Sequence, residues 1–477
     1  MPVVPYRSDL FQNCEEIHSF LADCQKKADR DRCPKIASFS LQTEALDPIA
    51  LLSLLAETAD VHFYYEYPTQ QQAVVAWGCA ADYQGSGPYR FQQVREFIKT
   101  QLRDIVRHCL PQPEPEPRFF CRFTFFEQSA AAFPAASVFL PRFQLTQQQA
   151  QFSLSFNLQI APHGRLDALM LEIQTSLQRL EACRSLAFSH SRTDYADYRA
   201  AGQLLANHNS YLTPFRHSVS QVLTHIQQQR PRKVVLAHAL DVQTPFKFWL
   251  SASLANLRQR YPDCYIFSTS NGQGQTFLGA SPERLISISR QQLLTDALAG
   301  SAPRGQTLRQ DAAIAQRLQH SRKERYEHQV VVDFIAQRLR YLGLQPQHSS
   351  VPDLLKLSNI QHLHTPIRAR LSPEQHPLEI LALLHPTPAV AGFPSDLACR
   401  LIRQYESFER SLYAAPLGWI DANGDSEFIV GIRSALIDHN QARLYAGAGI
   451  VAGSNPDKEV AEIQLKLQAL LQALAVE

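Results

Sequence analysis

The segment CYIFSTSNGQGQTFLGASPERLISIS, residues 264–289, constrains the fold more tightly than any other stretch. It consists of strand-forming apolar runs cut by an Asn-Gly turn and by Pro282. Runs joined by turns this tight pair antiparallel. The same signature recurs in VHFYYEY (61–67), QAVVAWG (72–78), RFFCRFTFF (118–126), ASVFLPRFQL (136–145) and KVVLAHALDV (233–242). Between them lie helical patterns: an amphipathic run over 92–109, one from about 205 to 230, and one from about 309 to 342. Strand hairpins alternating with helices of 12 to 20 residues predict an α+β, layered architecture of large antiparallel sheets covered by helices. PQPEPEP (111–117) reads as a surface loop and TQQQAQ (146–151) as a turn. Residues 1–200 read as an N-terminal part packing on an informative part, 205–477, with both forming one compact unit.

The chain has 477 residues, with 46 Lys+Arg against 44 Asp+Glu. With a net charge of +2 and no long run of one sign, nucleic acid is excluded as a partner and a small-molecule substrate is favoured. MPVVPYRSDLFQNCEEIHSF lacks a basic stretch followed by an apolar run, and no membrane-length apolar run follows. The expectation is therefore a cytoplasmic protein without a membrane span. Nine scattered cysteines without C-x-x-C spacing argue against a disulfide framework or a zinc site. Cys79, Cys264 and Cys399 lie in apolar surroundings and read as buried packing residues.

Two look-alikes fail on context. GAGIVAG (447–453) mimics a dinucleotide fingerprint, but the 24 residues after Gly453 are too few for a βαβ unit. DANGD (421–425) resembles a calcium loop, yet Ser426 stands where glycine is required, and Asn423-Gly424 between strands reads as a hairpin turn.

Two glutamate pairs carry the chemistry. Glu324 and Glu327 lie in KERYEHQVVVDFI, and Glu459 and Glu462 in EVAE. Three residues along a helix put both carboxylates of a pair on one face. Such a face is either ordinary solvated surface or, if two of them meet across a cleft, an all-oxygen site for Mg²⁺ or Ca²⁺. Spacing alone leaves both open.

Eight ordered blocks decide it: FLGASPERL (277–285), ALAGSAPRG (297–305), KERYEHQVVVDFI (323–335), LSNIQHLHTPI (357–367), LLHPTPAVAGFP (383–394), ERSLYAAPLGWID (409–421), FIVGIRSALI (428–437) and YAGAGIVAGSNPDKEVAEIQLK (445–466). Together with KVVLAH they resemble the chorismate-binding enzymes, and among these the isochorismate synthases. The resemblance is dense over 205–477; in the first 200 residues it is weak, mostly around FFEQSAAAFPAASVFLPR.

The resemblance implies a chorismate-binding fold and Mg²⁺ ligated by Glu327 and Glu462, with Glu324 and Glu459 reaching it through water. It implies Lys233 as general base and Glu283 as general acid for water addition at C2 with loss of the C4 hydroxyl. A lysine, with an ordinary pKa of about 10.4, must be desolvated or set near cations to act as a base, and a glutamate acid needs an apolar surround. Arg433, Tyr445 and the amides around Gly449 would grip the enolpyruvyl carboxylate, and Lys466 the ring carboxylate. Gly300 and Ser301 would line the ring-carboxylate pocket, Ser301 standing where relatives usually have Thr. His362 would stand near the ring, with His364 a bystander.

Lys233 argues for water over ammonia as nucleophile, and Ala299 stands where C4-aminating relatives carry a covalent lysine. No glutamine amidotransferase subunit is therefore expected, and the family gives precedent for monomers. HPTPAVAG (385–392) resembles the block of enzymes that release isochorismate. Salicylate synthase and an anthranilate synthase component I-like activity are the alternatives, and retention of base and acid argues against a non-catalytic chorismate binder. The product would serve quinone (menaquinone or phylloquinone) or siderophore synthesis. The chain departs from the pattern at His238 for Arg, Ala391 for Gly and Ser411 for Gly.

Overall fold

The computed structural model describes residues 14–55, 61–108, 116–187, 212–228, 231–358 and 360–476. Most of the Pro-Glu stretch and the boundary near residue 200 lie outside them.

The strand-forming runs pair into two sheets. The first has twelve strands in the order Gly392–Phe393, Lys233–Gln243, Gln441–Val451, Ser434–Asp438, Gln275–Ser281, Tyr265–Ser270, His62–Tyr67, Gln72–Trp77, Phe143–Gln148, Gln151–Ile160, Lys35–Thr43 and Ile105–Arg107. The second has nine: Asp353–Lys356, Ile360–Arg370, Gln292–Pro303, Arg284–Ser289, Ser426–Val430, Pro416–Asp421, Arg118–Phe123, Ala136–Leu140 and Ala81–Gly85. Among the described residues every ladder is antiparallel except Lys35–Thr43 with Ile105–Arg107. Strands from both ends of the chain enter both sheets, so each sheet is continuous across the two halves of the sequence. The inner faces meet in one apolar core, in which Phe63, Phe120, Phe267 and Phe277 are almost wholly buried. This is the α+β layered fold expected from the hairpin pattern.

The run over 309–342 is two helices, Leu308–His320 and Arg322–Tyr341, because Ser321 leaves helical geometry and its hydroxyl accepts the Glu324 N–H as an N-cap. The second glutamate pair lies on Pro456–Leu471, started by Asn455, whose side-chain oxygen accepts the N–H groups of Asp457 and Lys458, with Pro456 at the first helical position. Val331, Phe334 and Ile335 anchor the first of these glutamate helices, and Ile463, Leu467 and Leu470 the second.

Three local expectations meet the structure with different outcomes. Asp421 to Asp425 form a hairpin turn with Gly424 at φ 84°, as read from Asn-Gly. Cys264 is buried and Cys399 half-buried, but Cys79 is exposed, because Gly78 turns the chain out of the sheet ahead of it. The helix expected over 205–230 is described as Thr213–Gln227. None of the described helices is long and apolar enough to cross a membrane.

Candidate active site

A cavity of about 160 Å³ lies between the two sheets, closed on one side by the glutamate helices. Lys233, Val235, Tyr445 and Gly449 line it from the first sheet, and Leu298, Gly300, Ser301 and His362 from the second. Glu327, Glu462 and Lys466 reach in from the helices. Glu283 lines it from the link between Gln275–Ser281 and Arg284–Ser289, and Arg433 from the link between Ser426–Val430 and Ser434–Asp438. Every residue expected at the site is thus gathered here except Glu324 and Glu459, which do not line the cavity wall.

Lys233 opens its strand opposite Val451 on one side and Phe393 on the other, and is 2% exposed. Desolvation is met, but its neighbour is an anion: Nζ lies 2.7 Å from Glu327 Oε1. Of the two conditions expected for a lysine base, desolvation or nearby cations, burial is the one present. Gly449 permits this approach, since a β-carbon there would lie 2.9 Å from Glu327 Oε1 and 3.2 Å from Lys233 Cε. On the second glutamate helix, Lys466 Nζ donates to Glu462 Oε1 at 2.6 Å, the one-turn spacing expected, and to the Gly447 carbonyl at 2.9 Å.

Glu283 is 5% exposed. Burial pushes its carboxyl up to about 8, with Lys233 pulling the other way and Asp296 adding to the rise. It is held by its backbone: its N–H donates to Ser281 Oγ at 3.2 Å, and its carbonyl accepts from Val430 N at 3.1 Å. Arg284 turns away from it toward the Tyr265 hydroxyl, Asp296 and Glu427, so no ion pair quenches the acid.

On the second sheet, Ser301 faces His362 across the ladder, next to a register shift at Gly300, whose φ of 76° bends the strand. His362 joins two expected groups. The Arg433 guanidinium, which can only donate, meets Nε2 at 3.3 Å, so the ring proton sits on Nδ1 and is donated to Ser301 Oγ at 2.8 Å. Burial, then Arg433, holds His362 well below its usual range, so the ring is neutral. His364 is the bystander expected, bonded to Asp296 at 3.0 Å. His238 lies outside the cavity wall, edge-on to Phe215 at 6.1 Å.

Tyr413 was missed by sequence reasoning. It lines the cavity, is 4% exposed, and stacks on Tyr445 with ring centroids 5.1 Å apart. Its sequence signal was its place in ERSLYAAPLGWID, two residues after the Ser411 that departs from the family pattern; in the structure Ser411 and Ala414 take the left-handed φ values 48° and 60° that glycine usually fills.

The four glutamates form a single electrostatic group. Burial first, then Glu327 and Glu462, raises Glu324; burial first, then Glu462 and Glu327 against Ser454 and Lys323, raises Glu459. Burial pushes Glu462 up, but Lys466, Lys323 and Lys233 together outweigh it and leave that carboxyl below its ordinary value. No trio of His, Cys, Asp and Glu among the described residues forms a ready-made metal cage. Three of the four carboxylates are engaged by lysine amines instead: Glu327 by Lys233, Glu462 by Lys466 and, at 3.8 Å, Glu324 by Lys323. An oxygen-only set that crowds like charges matches what a hard divalent cation requires.

A family model described as chorismate binding enzyme matches residues 20–475. Over 452 residues the chain is 33% identical to the salicylate biosynthesis isochorismate synthase of Pseudomonas aeruginosa, covering 93% of this chain and 90% of that protein. Over 454 residues it is 31% identical to an isochorismate synthase of Bacillus subtilis, covering 93% of this chain and 94% of that protein. Among solved structures, the menaquinone-specific isochorismate synthase of Escherichia coli superposes with a TM-score of 0.74 at 26% identity, covering 95% of this chain and 99% of that one.

Proposed function

The chain belongs to the chorismate-binding enzymes, and on that premise we propose that it is an isomerase converting chorismate reversibly to isochorismate. The observation that carries this reading is the pairing, in one cavity between the sheets, of a buried lysine with a carboxyl held protonated near neutrality.

Water is a poor nucleophile and hydroxide a poor leaving group, so the exchange needs a base for the incoming water and an acid for the departing oxygen. Lys233 takes a proton as water adds at C2, the ring double bonds shift, and Glu283 gives its proton to the C4 oxygen, which leaves as water. With a pKa of about 8, Glu283 keeps that proton at neutral pH. In the reverse direction acid and base exchange roles. Arg433, oriented by neutral His362, presents a fork suited to the enolpyruvyl carboxylate, and Lys466 an amine suited to the ring carboxylate.

Mg²⁺ is the cation this reading assigns to the glutamates. Glu327 and Glu462 would hold it, with Glu324 and Glu459 reaching it through water; when bound it supplies a positive centre for a substrate carboxylate. Lys233, now 2.7 Å from Glu327, must give up that contact to take the proton of the incoming water.

The test is product analysis from chorismate and Mg²⁺ at about pH 7 to 8. Chromatography should show isochorismate accumulating to an equilibrium with chorismate, supplied isochorismate returning to chorismate, and little salicylate fluorescence. A salicylate yield matching chorismate consumption would replace this reading with salicylate synthesis. Lys233→Gln should lose about a hundredfold or more in rate while still binding chorismate; near-normal turnover would assign the base elsewhere.

A further inference from the structure

Lys233 sits where the first sheet runs out. On its inner side the lysine strand is paired along its full length with Gln441–Val451, but on its outer side the partner strand is only Gly392–Phe393. The last backbone bond that segment supplies is from Val235 N–H to the Ala391 carbonyl, at 2.8 Å. Beyond it the Val235 carbonyl and the Ala237 N–H face outward with no strand beside them among the described residues, as orphan groups that a buried edge cannot leave unpaired.

Two side chains take them up. Arg410 donates through one terminal nitrogen to the Val235 carbonyl at 2.8 Å, and Glu406 Oε1 accepts the Ala237 N–H at 2.7 Å. The two are bound to each other through both carboxylate oxygens, at 2.9 and 2.5 Å, and their side chains are 1% and 3% exposed. The other terminal nitrogen of Arg410 donates to the Val390 carbonyl at 2.8 Å, and the guanidinium lies over the Phe125 ring at 4.3 Å. One donor group and one acceptor group are thus offered at the spacing of an adjoining strand. Val235 and Val390, the residues whose carbonyls are gripped, both line the cavity, and Val235 shares the inward face with Lys233 two residues before it.

We propose that the Glu406–Arg410 pair is a surrogate edge strand that positions Lys233, so that it sets the rate of the proton transfer rather than the binding of substrate. The inference rests on the reading of Lys233 as base. Neither residue lines the cavity, so neither is catalytic. The pair acts through the backbone of the lysine strand, and a strand freed at its edge lets the amine wander from the geometry that proton transfer demands.

A single Arg410 variant would leave Glu406 charged and buried and risks unfolding, so the decisive variant is Arg410→Met with Glu406→Leu, which removes both charges together at similar volume. It is compared with wild type and with Lys233→Gln for kcat, KM and hydrogen exchange of the peptide spanning 233–243. The double variant should lose at least about tenfold in kcat with KM within about twofold, and exchange faster in that peptide. Arg410→Lys, which keeps charge but not the fork, should fall between it and wild type. Wild-type kcat in a folded double variant would overturn the proposal, and so would a rise in KM matching the fall in kcat. If Lys233→Gln alone retains turnover, the assignment of the base fails instead, separately from any effect of the double variant.

Discussion

Glu283 offers the sharpest quantitative test, because one buried carboxyl governs both stability and chemistry. Its carboxyl is raised from 4.5 to about 8, chiefly by burial. Between those values the native state holds a proton that the unfolded chain has released, so stability falls as pH rises through this interval and levels off above about 8. From about pH 6 to 9 the unfolded carboxyl gains three pH units of ionisation free energy and the native one gains one. The difference of two units is about 3 kcal/mol at about 1.4 kcal/mol per unit. Glu283→Gln keeps the size and carries no charge, so it should lack this slope and exceed wild type in relative stability at the alkaline end.

Urea unfolding of both proteins at several pH values isolates the group, since every other titration is common to the two curves. The same group should shape activity. Wild-type turnover should decline above about pH 8 as the acid loses its proton, and Glu283→Gln should be about 10²–10⁴-fold slower throughout. Parallel alkaline losses of stability in both proteins would refute the argument, because the buried carboxyl would then titrate as an ordinary surface group.

Glu327→Gln and Glu462→Gln should each abolish turnover while leaving the protein folded, and each should weaken divalent-cation binding measured with Mn²⁺ by electron paramagnetic resonance; full activity in excess EDTA would sink the metal assignment. Gly449→Ala would push a β-carbon to 2.9 Å from Glu327 Oε1 and 3.2 Å from Lys233 Cε, so turnover should fall at least about tenfold with a modest stability cost; unchanged kcat would show that the pair has room to shift. Ser411→Gly removes a side chain held at φ 48° whose buried hydroxyl has no hydrogen-bond partner, and should stabilise the protein by about 1 kcal/mol, read as a higher melting temperature.

The sequence made local features readable and left non-local ones closed. Strand runs such as KVVLAHALDV and hairpins such as Asn423-Gly424 announce themselves because alternation and turn chemistry act over a few residues. The helix break at Ser321 was equally local, a Ser-x-x-Glu start, but its Glu324 side chain accepts the Ser301 N–H instead of closing the capping box, so a residue proposed for the site hid inside a capping pattern. The choice of partner strand was not readable. His62–Tyr67 lies beside Tyr265–Ser270, about two hundred residues on, and no local pattern specifies such a neighbour. Glu406 and Arg410 escaped notice for the same reason, because the edge they complete exists only once the sheet has formed.

Three residues at or next to the cavity share a backbone conformation that side chains disfavour. Ala414 and Arg433 line it and Ser411 lies just behind; all three have positive φ, at 60°, 49° and 48°, in the region L-residues avoid. Each is locked by its neighbours. The Ser411 carbonyl accepts from Phe125, the Ala414 N–H donates to Gly431, and the Arg433 carbonyl accepts from Ala280. Turned this way, the chain sends Tyr413 into the cavity between two such residues and aims Arg433 at His362 from a sharp bend between strands. A glycine could take the bends at 411 and 414 without strain, but at 433 the side chain itself is required, so the strain there is the cost of placing a guanidinium at a turn. The core that holds these bends must therefore be rigid. The two sheets supply that rigidity, and beside Lys233 the Glu406–Arg410 side chains continue the pairing where the described backbone partner stops.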